Sequence, residues 1–262
     1  MRYLIATAGG LLLAACSPAA TAPTIDGTYK LDMATAKLST KPDTFTVNDG
    51  EYDCPSCTPP FKIAADGQPH AVAGRDYWDA LSVKVVDPNT FEMTRYRKGA
   101  AIGTATATVS ADGQMLTWTS TSSDNAESKP ISNTSKAKRS GPAPAGAHAA
   151  SGSWLPVTEG AQLADESTTA VITWKGDTVT QKFPTGESYE AKLGGPQVPL
   201  VGDKAGATIA VTAEGTGFKE TDYVGGKAVA EYVYTPVDAA TVTMKMHNLK
   251  NDVREEYTLK KQ

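Results

Sequence analysis

Cys54-Pro55-Ser56-Cys57 is the one local cysteine motif in the chain, and its spacing admits several chemistries. A redox pair of this spacing needs a helix N-terminus to lower one thiol pKa. Here Thr58-Pro59-Pro60 and then a strand pattern follow. Zinc requires two further ligands at regular spacing, and His70 is the only nearby candidate. Covalent haem needs a histidine at position 58, which is Thr. The expected state is a disulfide between Cys54 and Cys57 that closes a tight loop in an oxidising compartment, with free thiols, metal and redox roles as alternatives.

Other catalytic constellations are thin. His70, His148 and His247 are scattered, and no Gly-x-Ser-x-Gly elbow occurs. Gly194-Gly195 and Gly225-Gly226 come nearest to a phosphate loop. Neither runs into Gly-Lys-Ser/Thr before a helix, so both read as hairpin turns. Asp76 and Asp79 could form an acid/base pair, but acidic loop residues in an acidic chain are as a rule solvated. The expectation is a non-enzyme with no catalytic residues, no metal and no cofactor, an uncharacterised hydrolase being the last alternative. Arg75-Asp76-Tyr77-Trp78-Asp79 is the densest aromatic and charged cluster. Arg75, Tyr77 and Trp78 are the candidate ligand-binding residues, offering a stacking surface at a barrel mouth; the alternative is a Trp that plugs the core. The later half of the chain has Asp203-Lys204-Ala205-Gly206-Ala207 there, which confines any such role to the first half.

The N-terminus, MRYLIATAGGLLLAACS, has Arg2, an apolar run from Leu4 to Leu13, and small residues before a cysteine. Leu13-Ala14-Ala15-Cys16 resembles the lipobox of bacterial lipoproteins. The resemblance implies a signal peptide over 1–15, lipidation of Cys16, and a tether over 16–24. Ser17, where an aspartate would resemble an inner-membrane retention signal, points to the outer membrane, facing the periplasm. Two or more acyl chains anchor stably where one does not. The formal net charge is −4, and the longest basic run is Lys136-Ala137-Lys138-Arg139. That argues against a nucleic-acid partner, which needs a concentrated basic footprint. No later segment approaches the roughly 18 apolar residues of a membrane helix.

The chain reads as an internal duplication. Phe61 aligns with Tyr189, Gly67 with Gly195, Gly74 with Gly202 and Val83 with Val211; after a one-residue slip, Phe91 aligns with Phe218 and Tyr96 with Tyr223. The matches fall on turn glycines and on one face of alternating strands, where backbone geometry and burial restrict residues most. Strands are expected near 27–32, 44–53, 61–64, 80–87, 90–97, 101–110, 114–122 and 131–138. In the second unit they are expected near 153–157, 169–174, 177–183, 187–192, 207–213, 217–223, 228–235, 240–247 and 253–260. The Pro/Gly/Ala-rich stretch 140–151 reads as a linker.

Residues 25–122 carry a Gly-x-Tyr-x-Leu start (Gly27-Thr28-Tyr29-Lys30-Leu31) and a Val109-Ser110-Ala111-Asp112-Gly113-Gln114-Met115-Leu116-Thr117 hairpin. They resemble a functionally unassigned group of secreted bacterial proteins with lipocalin-like β-barrels. Residues 152–246 carry the pattern loosely, with Gly152-Ser153-Trp154 at the start and Pro236-Val237-Asp238-Ala239 replacing the turn. The expected fold is all-β: two tandem antiparallel up-and-down barrels of about eight strands each, at 25–139 and 152–262, with β-sandwiches as the alternative. The resemblance implies a cavity for a small apolar ligand. The competing reading is a structural or interaction module whose barrels are packed solid; Ala101, Ala105 and Ala107 lean towards space inside.

Overall fold

The computed structural model describes residues 25–262; the leader 1–15, Cys16 and the tether 16–24 lie outside them. The fold follows from alternation. Along β16 (Thr208–Glu214), Ile209 and Val211 are buried between less buried neighbours. Along β13 (Thr178–Lys182), Val179 and Gln181 are buried. Such period-2 strands bury one face only, and curling the sheet on itself encloses that face.

Two nearly closed ten-stranded antiparallel sheets result. The first, here the first barrel, has the order β4-β3-β2-β11-β10-β9-β8-β7-β6-β5. Its strands are β2 (Asp43–Asn48), β3 (Glu51–Cys54), β4 (Phe61–Ala64), β5 (His70–Ala71), β6 (Ala80–Asp87), β7 (Thr90–Arg97), β8 (Ala100–Val109), β9 (Met115–Ser122), β10 (Ile131–Gly141) and β11 (Gly152–Gln162). The second barrel has the order β14-β13-β12-β1-β20-β19-β18-β17-β16-β15. It comprises β1 (Asp26–Lys37), β12 (Thr169–Lys175), β13, β14 (Ser188–Lys192), β15 (Val198–Pro199), β16, β17 (Gly217–Val224), β18 (Lys227–Asp238), β19 (Thr241–Asn248) and β20 (Val253–Lys261). The expectation of about eight strands falls short of ten. The stretch 44–53 is two strands joined at Asp49-Gly50, and the two-residue β5 and β15 are too short to show a period.

The sheets do not coincide with the sequence units 25–139 and 152–262. β1 lies between β12 and β20, with Gly27 opposite Ile172 and Leu31 opposite Leu259. β11 lies between β2 and β10, with Gly152 opposite Phe45 and Trp154 opposite Arg139. The first strand of each unit has therefore been exchanged into the other unit's barrel. The end of β1 and the link to β2 are held against the second barrel by Lys37–Glu256 at 2.6 Å and by Lys41 Nζ donating to Asn251 O at 2.5 Å. Nor is 140–151 a free linker. Its start is the end of β10, His148 N donates to Val47 O, and Ala150 and Ser151 are fully buried.

Each exchanged strand carries the anchor residue of its host. Trp154, 1% exposed, is the largest fully buried side chain of the first barrel, and Tyr29 holds the equivalent place in the second. Trp154 Nε1 donates to Ala150 O at 2.8 Å. Arg139 lies 4.1 Å over the indole and donates to the carbonyls of Gly113, Ala149 and Ser151, plugging that end of the barrel. The strand begins at Gly152, φ 126°, where a Cβ would lie 2.7 Å from the Arg139 guanidinium. Only glycine lets the two approach so closely.

Beyond the exchange, the barrels meet through the loop after β9. Ala126 N donates to Glu187 Oε1 at 2.7 Å, and Lys204 Nζ to Ser128 Oγ at 2.7 Å. Among the described residues no helix is long and apolar enough to cross a membrane.

Candidate functional site

The loop between β5 and β6 carries Arg75, Tyr77 and Trp78, and its place is set by the turn that follows β3. Cys54 and Cys57 are joined in a disulfide. Within that turn Ser56 Oγ donates to Thr44 O at 2.9 Å and accepts from Thr44 N at 2.8 Å, tying it to β2. Arg75 reaches over the turn and donates to Thr58 O at 2.8 Å and Pro59 O at 2.5 Å. Its guanidinium lies 4.8 Å from the Phe61 ring centre and 5.2 Å from that of Trp78. Its Nε is buried without a partner, and desolvation pushes its pKa down.

These residues border a cavity of about 630 Å³ at the junction of the barrels. Its aromatic wall comes from the first barrel: Phe45, Tyr52, Trp78, Trp118 and Trp154. The opposite wall comes from the second barrel, through Asp222, Tyr232 and Lys250. Arg75, Tyr77, Trp78, Cys54 and Cys57 all line it. The second-barrel wall lay outside the sequence reading, which confined the site to the first unit. Asp76 is part of the junction, since it accepts from Lys250 Nζ at 2.7 Å. Tyr77 faces the second barrel; burial first, then the charges of Asp203 and Asp222, push its hydroxyl up to about 12.

A second cavity, about 390 Å³, lies inside the second barrel. Glu220 and Asp222 reach it from β17, at the same parity as buried Phe218. Glu220 Oε2 accepts from Tyr189 Oη at 2.6 Å and from Gln181 Nε2 at 2.8 Å. Gln181 Oε1 and Asp222 Oδ1 are buried with no hydrogen-bond partner. Burial, then the Asp222 charge, holds the Glu220 carboxyl far above its ordinary range, and burial pushes Asp222 up to about 6. Ionising both carboxyls in so desolvated a space is costly, which is why both are pushed up. Asp222 and Tyr232 belong to the walls of both cavities.

This cluster escaped the sequence reading. The available signal was parity: Phe218, Glu220 and Asp222 alternate on one strand, so a core aromatic puts two acids on its own face. The remaining candidates have local roles. Asp79 Oδ2 accepts from Lys98 N at 2.7 Å, well apart in function from the Asp76–Lys250 pair. His70 meets Asp66 at 2.8 Å, His247 meets Asp252 at 2.7 Å, and His148 meets the carbonyl of Asp87 at 2.8 Å. Among the described residues, no three His, Cys, Asp or Glu side chains are grouped to hold a metal ion.

No protein-family model matches the chain, and no curated protein does. Among solved structures the chain is similar to that of wild-type fluorescent protein UnaG, at 20% identity over 36% of this chain and 72% of that one, with a TM-score of 0.30.

Proposed function

We propose that the protein is a non-enzymatic binder of a small apolar molecule, held at the cell envelope by lipid on Cys16. The observation that carries the binding reading is the cavity of about 630 Å³ with a wall of Phe45, Tyr52, Trp78, Trp118 and Trp154. Small-molecule sites fall in the range of about 300–1,000 Å³ and pair an apolar lining with a few polar anchors. Arg75, fixed by two backbone carbonyls, supplies such an anchor at the rim.

Intrinsic fluorescence titrated with fatty acids, isoprenoids and quinones tests it. Saturable binding is expected, weakened by about 1–3 kcal/mol in Trp78→Ala, the value of a large buried aromatic contact. Ala137 also lines the cavity, and Ala137→Trp should fill it and remove binding. Saturable binding indifferent to both variants would place the ligand elsewhere; no saturable binding would favour an interaction module. The anchor is supported by Leu13-Ala14-Ala15-Cys16, and outer-membrane placement facing the periplasm by Ser17. Cys16→Ser should leave an unprocessed or soluble protein on envelope fractionation. Normal processing and detergent partitioning of that variant would refute the anchor.

A further inference from the structure

The duplication supplies a control for what the barrel interior requires. In β17 and β18, Phe218 pairs with Tyr234 and Glu220 with Tyr232; in β7 and β8 the same register holds Phe91 with Ala107 and Met93 with Ala105. Gln181 pairs with Tyr189 across β13 and β14 where Cys54 pairs with Phe61 across β3 and β4. The fold thus closes with apolar residues at these positions. The second barrel instead buries Gln181, Tyr189, Glu220, Tyr232 and Tyr234, at the desolvation cost every buried polar group carries.

What that cluster lacks indicates what it is built for. Its two unpartnered buried atoms, Gln181 Oε1 and Asp222 Oδ1, are both acceptors. Gln181 is 0% exposed, and its amide nitrogen is committed to the cavity-lining Glu220. The carboxyl side chains around this cavity are those of Glu166, Glu220 and Asp222, with no Lys, Arg or His among the described lining residues. Neither Glu220 nor Asp222 has a basic partner within salt-bridge distance among the described residues. Tyr29, Tyr232 and Tyr234 contribute aromatic surface to the same walls. Ile172, Ile209, Met244 and Leu259 are among the residues that supply the apolar lining. Hydrogen-bond acceptors with net negative charge, set among aromatic rings, suit a cation that donates hydrogen bonds.

We propose that the cavity of the second barrel binds a small organic ammonium: a protonated amine directed at Asp222 and Glu220, with its apolar body between the tyrosines and the aliphatic wall. Glu220 is held in place by Tyr189 and Gln181. Asp222 supplies the charge that the ammonium meets. This cavity adjoins the aromatic one through the shared walls of Asp222 and Tyr232, but it needs no ligand there. The volume of about 390 Å³ leaves room for an apolar body as well as the amine.

Isothermal titration of the full chain with phenylethylammonium, against the matched neutral 2-phenylethanol and anionic phenylacetate, tests it. Saturable binding of the ammonium is expected, at least about tenfold tighter than either analogue. Asp222→Asn, nearly isosteric, should remove that preference, and so should Glu220→Met, which installs the first barrel's residue. Trp78→Ala should leave it unchanged. Far-ultraviolet circular dichroism identifies which variants fold, and either folded variant suffices. The proposal fails if ammonium and alcohol bind alike, or if the ammonium does not bind at millimolar concentration. It also fails if the preference survives in a folded variant, or if Trp78→Ala removes it. The separate quinone and fatty-acid titrations report on the aromatic cavity, so failure of one reading leaves the other measurable.

Discussion

Trp154 belongs to the second sequence unit but is buried in the first barrel, which makes Trp154→Ala a direct test of strand exchange. Removing a fully buried Trp costs about 3–5 kcal/mol through lost transfer energy and the cavity left behind. Two further losses follow from the geometry. The Ala150 carbonyl loses its 2.8 Å indole donor in a fully buried residue, and Arg139 loses the ring 4.1 Å beneath it. Since these effects overlap, the expected total is about 5 kcal/mol, at the upper end for a single core substitution. Trp154→Phe should recover much of it by refilling the space without the N–H. Hydrogen exchange read by peptide mass spectrometry locates the damage. Protection should fall across 80–122, in β6–β9, while 208–248, in β16–β19, stays protected. If protection fell first in 208–248, Trp154 would belong to its own unit's barrel and the exchange would be wrong.

Cleavage within 144–146, an exposed stretch of the 140–151 segment, should leave the two fragments associated in gel filtration, because each barrel contains a strand from the other fragment. Separation without denaturant would contradict the topology. Stability should depend on pH through Asp222, whose pKa rises from 3.8 to about 6 by burial. The folded state binds that proton more tightly, so its contribution is fully present below about pH 4 and is lost as pH rises through about 6. The shift corresponds to about 3 kcal/mol. Thermal melts between pH 4.5 and 8 should therefore show Asp222→Asn gaining on the wild type as pH rises, and a difference constant with pH would refute it. The Cys54–Cys57 loop spans only four residues, so Cys54→Ser with Cys57→Ser should cost no more than about 2 kcal/mol by loop entropy. Urea unfolding measures it, and a much larger loss would mean the turn depends on the bridge for its packing.

Strand positions are legible because alternation and turn residues are local signals. The predicted 80–87 and 90–97 match β6 and β7 residue for residue. The exchange is not legible, for the same reason that the duplication is. β12 presents to β1 the pattern that β2 would present, and β20 that of β10, so period-2 alternation cannot tell own from exchanged pairing. The Arg75–Trp78 cluster is visible as composition, but its second wall, Tyr232 and Lys250, lies more than 150 residues away in sequence. Asp222 illustrates the complementary failure. Its type and parity are in the sequence, whereas the unpartnered state of its oxygen depends on neighbours that only the folded barrel brings together.

The exchange also sets an order of events while the chain is being made. β2–β11 are complete once residue 162 is available, so the first barrel can close while the rest of the chain is still missing. β1, the earliest strand, pairs with β12 and β20, and β20 ends at Lys261. It can pair with β12 once residue 175 is made, but its other side must wait for residues 253–261. Contacts between residues some 230 positions apart close slowly because the loop entropy is lost before any pairing is gained. Until β20 arrives, the side of β1 that will face it is an exposed edge. β1 thus finds its second partner last, and the second barrel closes only once β20 has been made.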